Sequence, residues 1–422
     1  MSYSFLEGPV ELAYELASIV QRSVNLQELT FKDNSLEELL DAGGKAVMDT
    51  LSNLKPHTKL KRFCAGEISN RGMDLLLIIE TNSITDLEVS YFPPSLDEPQ
   101  FSVSPIPMLR NFHSTITHLE LTNFDLWEAD TIQCPLVRTL KLDISGPPTL
   151  STWILMHAFP NIETLIFVRD IPVGYVSFMM DSIRDDNTIH EAAYETLCHW
   201  KKNLRYVQSK PTELYILRLP CHVHELRMEY DMGNCSRHHI LQVLEDCTPT
   251  VVELSVEDGT NRTGSYFLTS LIDKLSLCHT SHLRLEMNFV GDPSDIKEYL
   301  SHVVEAISRP SGLQYLWFDM ESGTHEWITR RRQDGGAIQG IAQGWLGPMG
   351  AEHEALSVAK RLPRLMRIGF DIFKSETSRG FWDVIRSTEV VGSGDPVSLL
   401  RLDSLEDEGL TRQAKFWDTT KD

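Results

Sequence analysis

The sequence has few basic residues and no long apolar run. Lys and Arg number 39 against 60 Asp and Glu, so the 422-residue chain carries a formal net charge of −21 at pH 7. Nucleic acids and anionic membranes attract basic surfaces, and this balance therefore argues against binding to either of them. The longest aliphatic run, Leu75 to Ile79, is far shorter than the ~20 residues that cross a bilayer.

Signals for export are also missing. The opening residues MSYSFLEGPVEL contain no basic stretch followed by an apolar one, so they do not resemble a secretory signal. The 7 cysteines are odd in number and scattered, which favours a reducing compartment over a disulfide framework. We therefore expect a soluble protein of the cytoplasm or nucleus.

Motifs of common catalytic sites are absent as well. None of the His-Glu pairs continues to HExxH, no G-x-S-x-G turn occurs, and the glycines from Gly335 onward lack the Gly-Lys-Ser/Thr of a phosphate loop. Between Cys221 and Cys247, only Cys235 and His238 have the spacing of a zinc-binding pair, and no second tight pair follows. We expect no enzyme, no metal and no cofactor; a zinc site here and an enzyme built on the glycine-rich loop remain the alternatives.

The sequence is rich in a short apolar-x-apolar step. Two copies lie between Ile116 and Ser145, each in an alternating segment typical of a strand buried on one side. Clear copies occur at Leu29/Phe31, Leu87/Val89, Leu119/Leu121, Leu140/Leu142, Leu165/Phe167, Leu226/Met228, Leu254/Val256, Leu283/Leu285, Leu316/Phe318, Ile368/Phe370 and Leu400/Leu402. Weaker copies lie at Phe63/Ala65 and near Tyr206.

Helical patterns separate these steps. Asp295 to Ile307 places its apolar residues at helical spacing, and Phe267 to Leu275 and Ile240 to Leu244 do the same in shorter stretches. Strands that alternate with amphipathic helices predict βα units and a parallel sheet. The clearest steps recur about every 21 to 33 residues, which is the range of leucine-rich repeats.

With these repeats, and with spacers such as CPLVRTLKL and FPNIETLIF, the chain resembles leucine-rich-repeat proteins of the ribonuclease-inhibitor-like class. It is also similar to the repeat region of fungal F-box/leucine-rich-repeat proteins. The resemblance implies an irregular α/β solenoid of about a dozen βα repeats, with a curved parallel sheet and helices on its convex side. It further implies a non-enzymatic module that recognises proteins, like the substrate-binding region of an F-box receptor of a cullin-type ubiquitin ligase. A free-standing scaffold or inhibitor is the alternative.

The predicted organisation has three parts. Residues 1–24 form an N-terminal capping helix, in which Gly8 to Leu12 faintly resembles the start of an F-box that binds a ubiquitin-ligase adaptor. Residues 25–405 form the repeats, with long insertions near 169–203 and 320–364. The second insertion contains Arg330–Arg332 and the glycine-rich run, and is predicted to be a loop on the rim. Residues 406–422 form a polar tail.

The repeat pattern predicts a binding surface in the C-terminal half. In an L-x-L-x strand the apolar side chains face the core and the intervening ones face the concave side. The predicted surface combines an acidic column, an arginine column and two aromatic anchors: Glu229, Glu257, Glu286, Asp319, Asp371 and Asp403; Arg227, Arg284 and Arg401; Tyr315 and Trp317. We expect it to bind a protein partner that carries basic residues. The alternative is that these acids only solvate the strand ends of an acidic chain.

Overall fold

The chain forms two compact units, Met1–Cys221 and His222–Asp422. The computed structural model describes residues 9–23, 25–54, 59–79, 83–92, 103–126, 131–143, 151–168, 180–194, 200, 204–229, 237–259, 263–290, 296–309, 311–322, 350–372, 379–386 and 397–402. Both units are α/β, with strands that are mostly parallel and with helices between many of them. This confirms the α/β class and the mostly parallel sheet that the sequence predicts.

In the first unit, the strands follow one another in chain order and every described pair is parallel. The strands are β1 (Glu28–Phe31), β2 (Arg62–Ile68), β3 (Asp86–Tyr91), β4 (His118–Thr122), β5 (Thr139–Asp143), β6 (Thr164–Val168) and β7 (Tyr206–Ser209). The helices are α1 (Pro9–Arg22), α2 (Ser35–Ser52), α3 (Asn70–Ile78), α4 (Ile106–Phe112), α5 (Thr152–Ala158), α6 (Met180–Tyr194) and α7 (Pro211–Leu217).

The second unit begins in the same way and ends differently. Its strands are β8 (Glu225–Met228), β9 (Val251–Gly259), β10 (His282–Val290), β11 (Tyr315–Ser322), β12 (Arg367–Ile372), β13 (Arg379–Arg386) and β14 (Val397–Arg401). Its helices are α8 (Arg237–Cys247), α9 (Thr263–Leu277), α10 (Ile296–Ile307) and α11 (Gly350–Arg361). Strands β8 to β12 pair in parallel, whereas β12–β13 and β13–β14 are antiparallel. The expectation that parallel repeats continue to Leu402 is therefore wrong for the last two strands.

One backbone contact recurs from strand to strand. The carbonyl oxygen of the residue before a strand accepts hydrogen bonds from two consecutive N–H groups at the start of the next strand; Thr85 accepts from Thr117 at 2.7 Å and from His118 at 3.0 Å. The same double acceptance occurs at Gln27, Lys61, Thr117, Arg138, Glu163, Thr250, Ser281 and Gln314. Each of these strands is thus held level with the previous one, so that equivalent residues line up in rows.

The repeated motif is longer than the apolar-x-apolar step. A buried apolar residue stands two positions before most strands: Leu60, Ile84, Ile116, Val137, Ile162, Leu204, Val223, Leu313 and Leu365. Together with the two inward residues of the strand it forms the pattern apolar-x-x-apolar-x-apolar. In β4, for example, Leu119 is 0% and Leu121 1% exposed, while the residues that alternate with them, His118, Glu120 and Thr122, are half-buried. We call the side of the sheet to which these alternate residues belong the open face of each unit.

Neighbouring helices also depend on one another. At the start of α3, Glu37 of the preceding helix accepts hydrogen bonds from the backbone N–H of Ser69 at 2.6 Å and of Gly72 at 2.9 Å. These two donors belong to the first turn, which has no partners within its own helix. A Cβ on Gly72 would lie 2.6 Å from Glu37 Oε1, so glycine leaves the space that this contact requires.

Several predicted elements lie close to their expected positions. The three helical patterns correspond to α8, α9 and α10, and every predicted step lies on a strand or directly at its end. The segment 1–24 contains α1, which packs on α2, and the insertions near 169–203 and 320–364 contain α6 and α11. Arg330–Arg332, the glycine-rich run and residues 406–422 lie outside the described residues. No described helix combines the length and apolar character needed to traverse a lipid bilayer.

Candidate recognition surface

The open face of the second unit contains most of the predicted site residues, arranged in three rows. The first row is Glu225, Val251, His282, Tyr315 and Arg367. The second is Arg227, Glu253, Arg284, Trp317 and Gly369. The third is Ser255, Glu286, Asp319 and Asp371. Because residues in a row belong to adjacent strands, they are about 4.8 Å apart and can interact directly.

Arg284 is the centre of this face. Its Nη1 lies 2.8 Å from Glu253 Oε1 and its Nη2 lies 3.1 Å from Asp319 Oδ2, so it links the strands on both sides. Its guanidinium carbon is 4.7 Å from the ring centre of Trp317, a cation–π distance. Trp317 Nε1 in turn donates to Asp319 Oδ1 at 3.0 Å, and Arg227 Nε lies 3.7 Å from Glu253 Oε1. Two arginines thus balance two carboxylates within the chain itself.

The two aromatic residues predicted as anchors are buried. Tyr315 is 3% and Trp317 5% exposed, and they form one cluster with Phe381, against which Leu402 packs. The Trp317 and Phe381 rings meet edge to face with centres 5.0 Å apart. Gly369 lies between them in the row and has no side chain to separate the rings. The expectation that Tyr315 and Trp317 present exposed rings to a partner is therefore wrong for this arrangement.

The alignment of β9 differs from the predicted one by two residues. Its Val252 and Leu254 pair with Leu283 and Leu285, so Ser255 is level with Glu286, and Glu257 is level with Asn288. The segment VVELSVE has three apolar residues at alternate positions, and the sequence alone does not tell which two belong to the repeat. The predicted acidic column is therefore interrupted at Ser255. Glu253, which the sequence reading missed, lies in the arginine row.

The last predicted repeat is reversed. Arg401 of β14 pairs with Trp382, whose own partner in β12 is the inward residue Ile368. Arg401 therefore belongs to the opposite side of the sheet from Arg284, and the neighbouring Leu400, which is 57% exposed, belongs to the open face. The reversal follows from the register of β13 and β14, because directly paired residues share a side of the sheet. Asp403 lies outside the described residues.

The remaining predicted acids differ in exposure. Glu229, directly after β8, and Glu286 are half-buried, whereas Asp371 is 8% exposed. In the first row, His282 stacks on Tyr315 with ring centres 4.2 Å apart, and Arg367 Nε lies 2.7 Å from Asp383 Oδ1. Burial lowers the pKa of His282 to about 4, and nearby His224 contributes to the shift. Burial also raises the pKa of Glu225, with a further contribution from Glu253.

The open face of the first unit is more accessible. Arg62 Nη2 lies 3.0 Å from Glu88 Oε2, and its Nε lies 3.8 Å from Glu28 Oε1. Lys141 Nζ lies 2.5 Å from Glu120 Oε1. The side chains of Arg62, Glu28 and Glu88 are 45%, 55% and 34% exposed. The sequence predicts a surface in the C-terminal half only and does not single out this face.

The residues considered for a zinc site, between Cys221 and Cys247, differ in exposure. Cys221 is buried, whereas His222 is exposed and contacts the Thr248 carbonyl oxygen through Nδ1 at 2.7 Å. Cys235 lies outside the described residues. Among the residues that the structure describes, no three His, Cys, Asp or Glu side chains are grouped so that they could hold a metal ion. Among the described cysteines, Cys64, Cys134, Cys221, Cys247 and Cys278 carry thiols rather than disulfides.

No protein-family model and no curated protein matches this sequence. A function for the chain has to be inferred from its own residues and their geometry.

Proposed function

We propose that the chain is a leucine-rich-repeat solenoid that recognises a protein partner through the open face of its parallel strands, without catalysing a reaction. The observation that carries the proposal is the parallel register from β1 to β7, in which every second side chain belongs to the open face. Nearly all of these side chains are half-buried or exposed. An array of side chains spaced by one strand suits a polypeptide that crosses several repeats.

Two forms of this function remain. The resemblance to F-box/leucine-rich-repeat proteins supports the substrate-binding region of a cullin-type ubiquitin ligase receptor. A scaffold or inhibitor with no ligase link is the alternative. Binding of the purified ligase adaptor to the full chain separates the two, because only the first form requires that contact.

Recognition by the open face can be tested with two matched substitutions in the first unit. Thr164→Arg changes a half-buried residue on the open face, and Ser182→Arg changes an exposed residue of α6. Each adds one positive charge. With the full chain as bait in quantitative affinity capture, we expect the partners bound by wild type to be kept by Ser182→Arg and lost by Thr164→Arg.

Thermal melts of both variants should stay close to that of wild type, because neither position is in the buried layer. Partners that Thr164→Arg retains, or that both variants lose equally, would show that binding does not use the open face.

A further inference from the structure

We propose that two copies of the chain associate through strand β14, whose outer edge pairs with the same edge of the second copy. The two strands run antiparallel and are related by a two-fold axis at Leu399. The proposal concerns the assembly of the chain and does not depend on the recognition function proposed above.

Strand β14 has a neighbour on one side only among the described strands. It ends the strand order, and that neighbour is β13. The N–H of Leu402 donates to the Phe381 carbonyl oxygen at 2.8 Å, so Leu402 and Leu400 direct their backbone groups towards β13. Because this direction alternates along an antiparallel strand, the backbone groups of Leu399 and Val397 are directed to the outer edge. A further strand can pair there.

The open face next to this edge is apolar and exposed. Leu400 is 57% and Ile385 47% exposed. Ile385 is level with Ser398 of β14, whose small side chain leaves a gap between Ile385 and the outer edge. Natural edge strands are often protected from pairing by charged residues or proline, whereas β14 has a single charge, Arg401 at its end, and no proline. Exposed aliphatic side chains at such an edge favour pairing with another strand.

The sequence of β14 fits a second copy of itself. With the axis at Leu399, the two Leu399 residues form a hydrogen-bonded pair, and Val397 of each copy is level with Arg401 of the other. Like charges are therefore not directly opposed. Leu400 of each copy is then opposite Ser398 of the other, at a position where the side chains of antiparallel strands come closest. The second copy thus supplies a large side chain where the first has a small one.

The chain already packs side chains across a gap of this kind. Gly369 of β12 has no side chain, and the rings of Trp317 and Phe381 on either side of it meet with centres 5.0 Å apart. In the dimer, Leu400 of one copy would approach Ile385 of the other in the same way, over the small residue between them. Two exposed aliphatic residues of each copy would then be covered.

The test compares the full wild-type chain with Leu400→Lys by sedimentation velocity over a range of concentrations. One strand from each copy makes a small interface, so wild type should be a dimer at about 100 µM and should dissociate on dilution. Leu400→Lys brings two ammonium groups close to the axis and should weaken the dimer at least about tenfold. The variant should melt at the same temperature as wild type, because Leu400 is exposed.

The matched control is Leu277→Lys, which adds the same charge at a residue of α9 that is 74% exposed. It should change the dissociation constant of the dimer by less than about twofold.

Leu399→Cys tests the register. The Cα atoms of a hydrogen-bonded antiparallel pair are about 5.5 Å apart, a distance that a disulfide spans. Oxidation should therefore link two copies of this variant, whereas Leu277→Cys should give no more covalent dimer than wild type.

A wild type that stays monomeric at about 100 µM overturns the proposal. Slow hydrogen exchange of the Leu399 amide in that monomer would show that another segment covers the edge. A dimer that Leu400→Lys leaves intact, or that both lysine variants weaken equally, overturns it as well. Weakening by Leu400→Lys without a disulfide in Leu399→Cys would contradict the two-fold pairing at Leu399, and with it the proposed dimer.

Discussion

The open faces of the two units share parallel strands but differ in how exposed their ion pairs are. In the second unit, Arg284 is bound to Glu253 and Asp319, and the rings of Tyr315 and Trp317 are buried. In the first unit, Glu28, Glu88 and Glu120 remain partly exposed, beside two cations. In both faces a cation of one strand pairs with carboxylates of the neighbouring strands, and the two faces differ in how far solvent reaches these ion pairs. Each of the following predictions tests one part of this difference.

The largest effect is expected in the buried layer, where the two units should behave alike. Leu119 and Leu283 are both 0% exposed, so replacing either by alanine should lower the free energy of unfolding by about 2–5 kcal/mol. Urea unfolding measures this. Leu277→Ala, at a residue 74% exposed, is the control and should cost less than about 0.5 kcal/mol. A small loss for Leu283→Ala would mean that Leu283 belongs to the open face of β10 and not to the buried layer.

Removing the central arginine should separate the two faces. Arg284→Ala leaves the 8% exposed Glu253 beside only Arg227, and should cost about 2–3 kcal/mol. Arg62→Ala removes a side chain that is 45% exposed, and should cost less than about 1 kcal/mol. Both are measured by chemical unfolding. Equal costs would contradict the contrast between a largely buried and a more exposed ion pair.

The pH dependence should also differ between the units. The pKa of His282 is lowered from 6.5 to about 4, so the unfolded chain takes up a proton first as the pH falls below about 6.5. This group therefore stabilises the fold fully above pH 6.5, and that stabilisation is lost progressively down to about pH 4. The raised pKa of Glu225 acts in the opposite direction at lower pH, because the folded form then holds its proton more tightly.

His282→Gln should make the loss of stability between pH 7 and pH 5 smaller than in wild type by on the order of 1 kcal/mol. His118→Gln, in the equivalent row of the first unit, is the matched control. Unfolding curves at the two pH values give the comparison. If both variants respond alike, the stacked environment of His282 is not the cause.

The smallest effect is expected from Glu286→Lys, a half-buried acid in the second unit. Because this side chain is partly in solvent, the charge reversal should change the free energy of unfolding by less than about 1 kcal/mol. Urea unfolding of wild type and variant measures the change. A loss as large as that of Arg284→Ala would mean that Glu286 belongs to the buried layer.

Much of the architecture follows from short-range patterns. The steps at Leu119/Leu121 and Leu140/Leu142 predict strands, and the apolar stripe from Asp295 to Ile307 predicts α10, because both depend only on the spacing of apolar residues along the chain. The buried residue two positions before most strands, such as Ile116, could have been found in the same way. That residue would have strengthened the prediction of strands at the weaker copies near Phe63 and Tyr206.

The composition of the open face depends on contacts between strands that are distant in sequence. The two-residue offset of Glu257 and the reversal of Arg401 were decided by the register between paired strands. The burial of Trp317 against Phe381 was decided by the neighbour between them, Gly369, which lacks a side chain. Periodicity within one segment determines which residues of a strand share a side. Only the folded sheet determines which residue of the next strand meets them, because pairing energy depends on both strands at once.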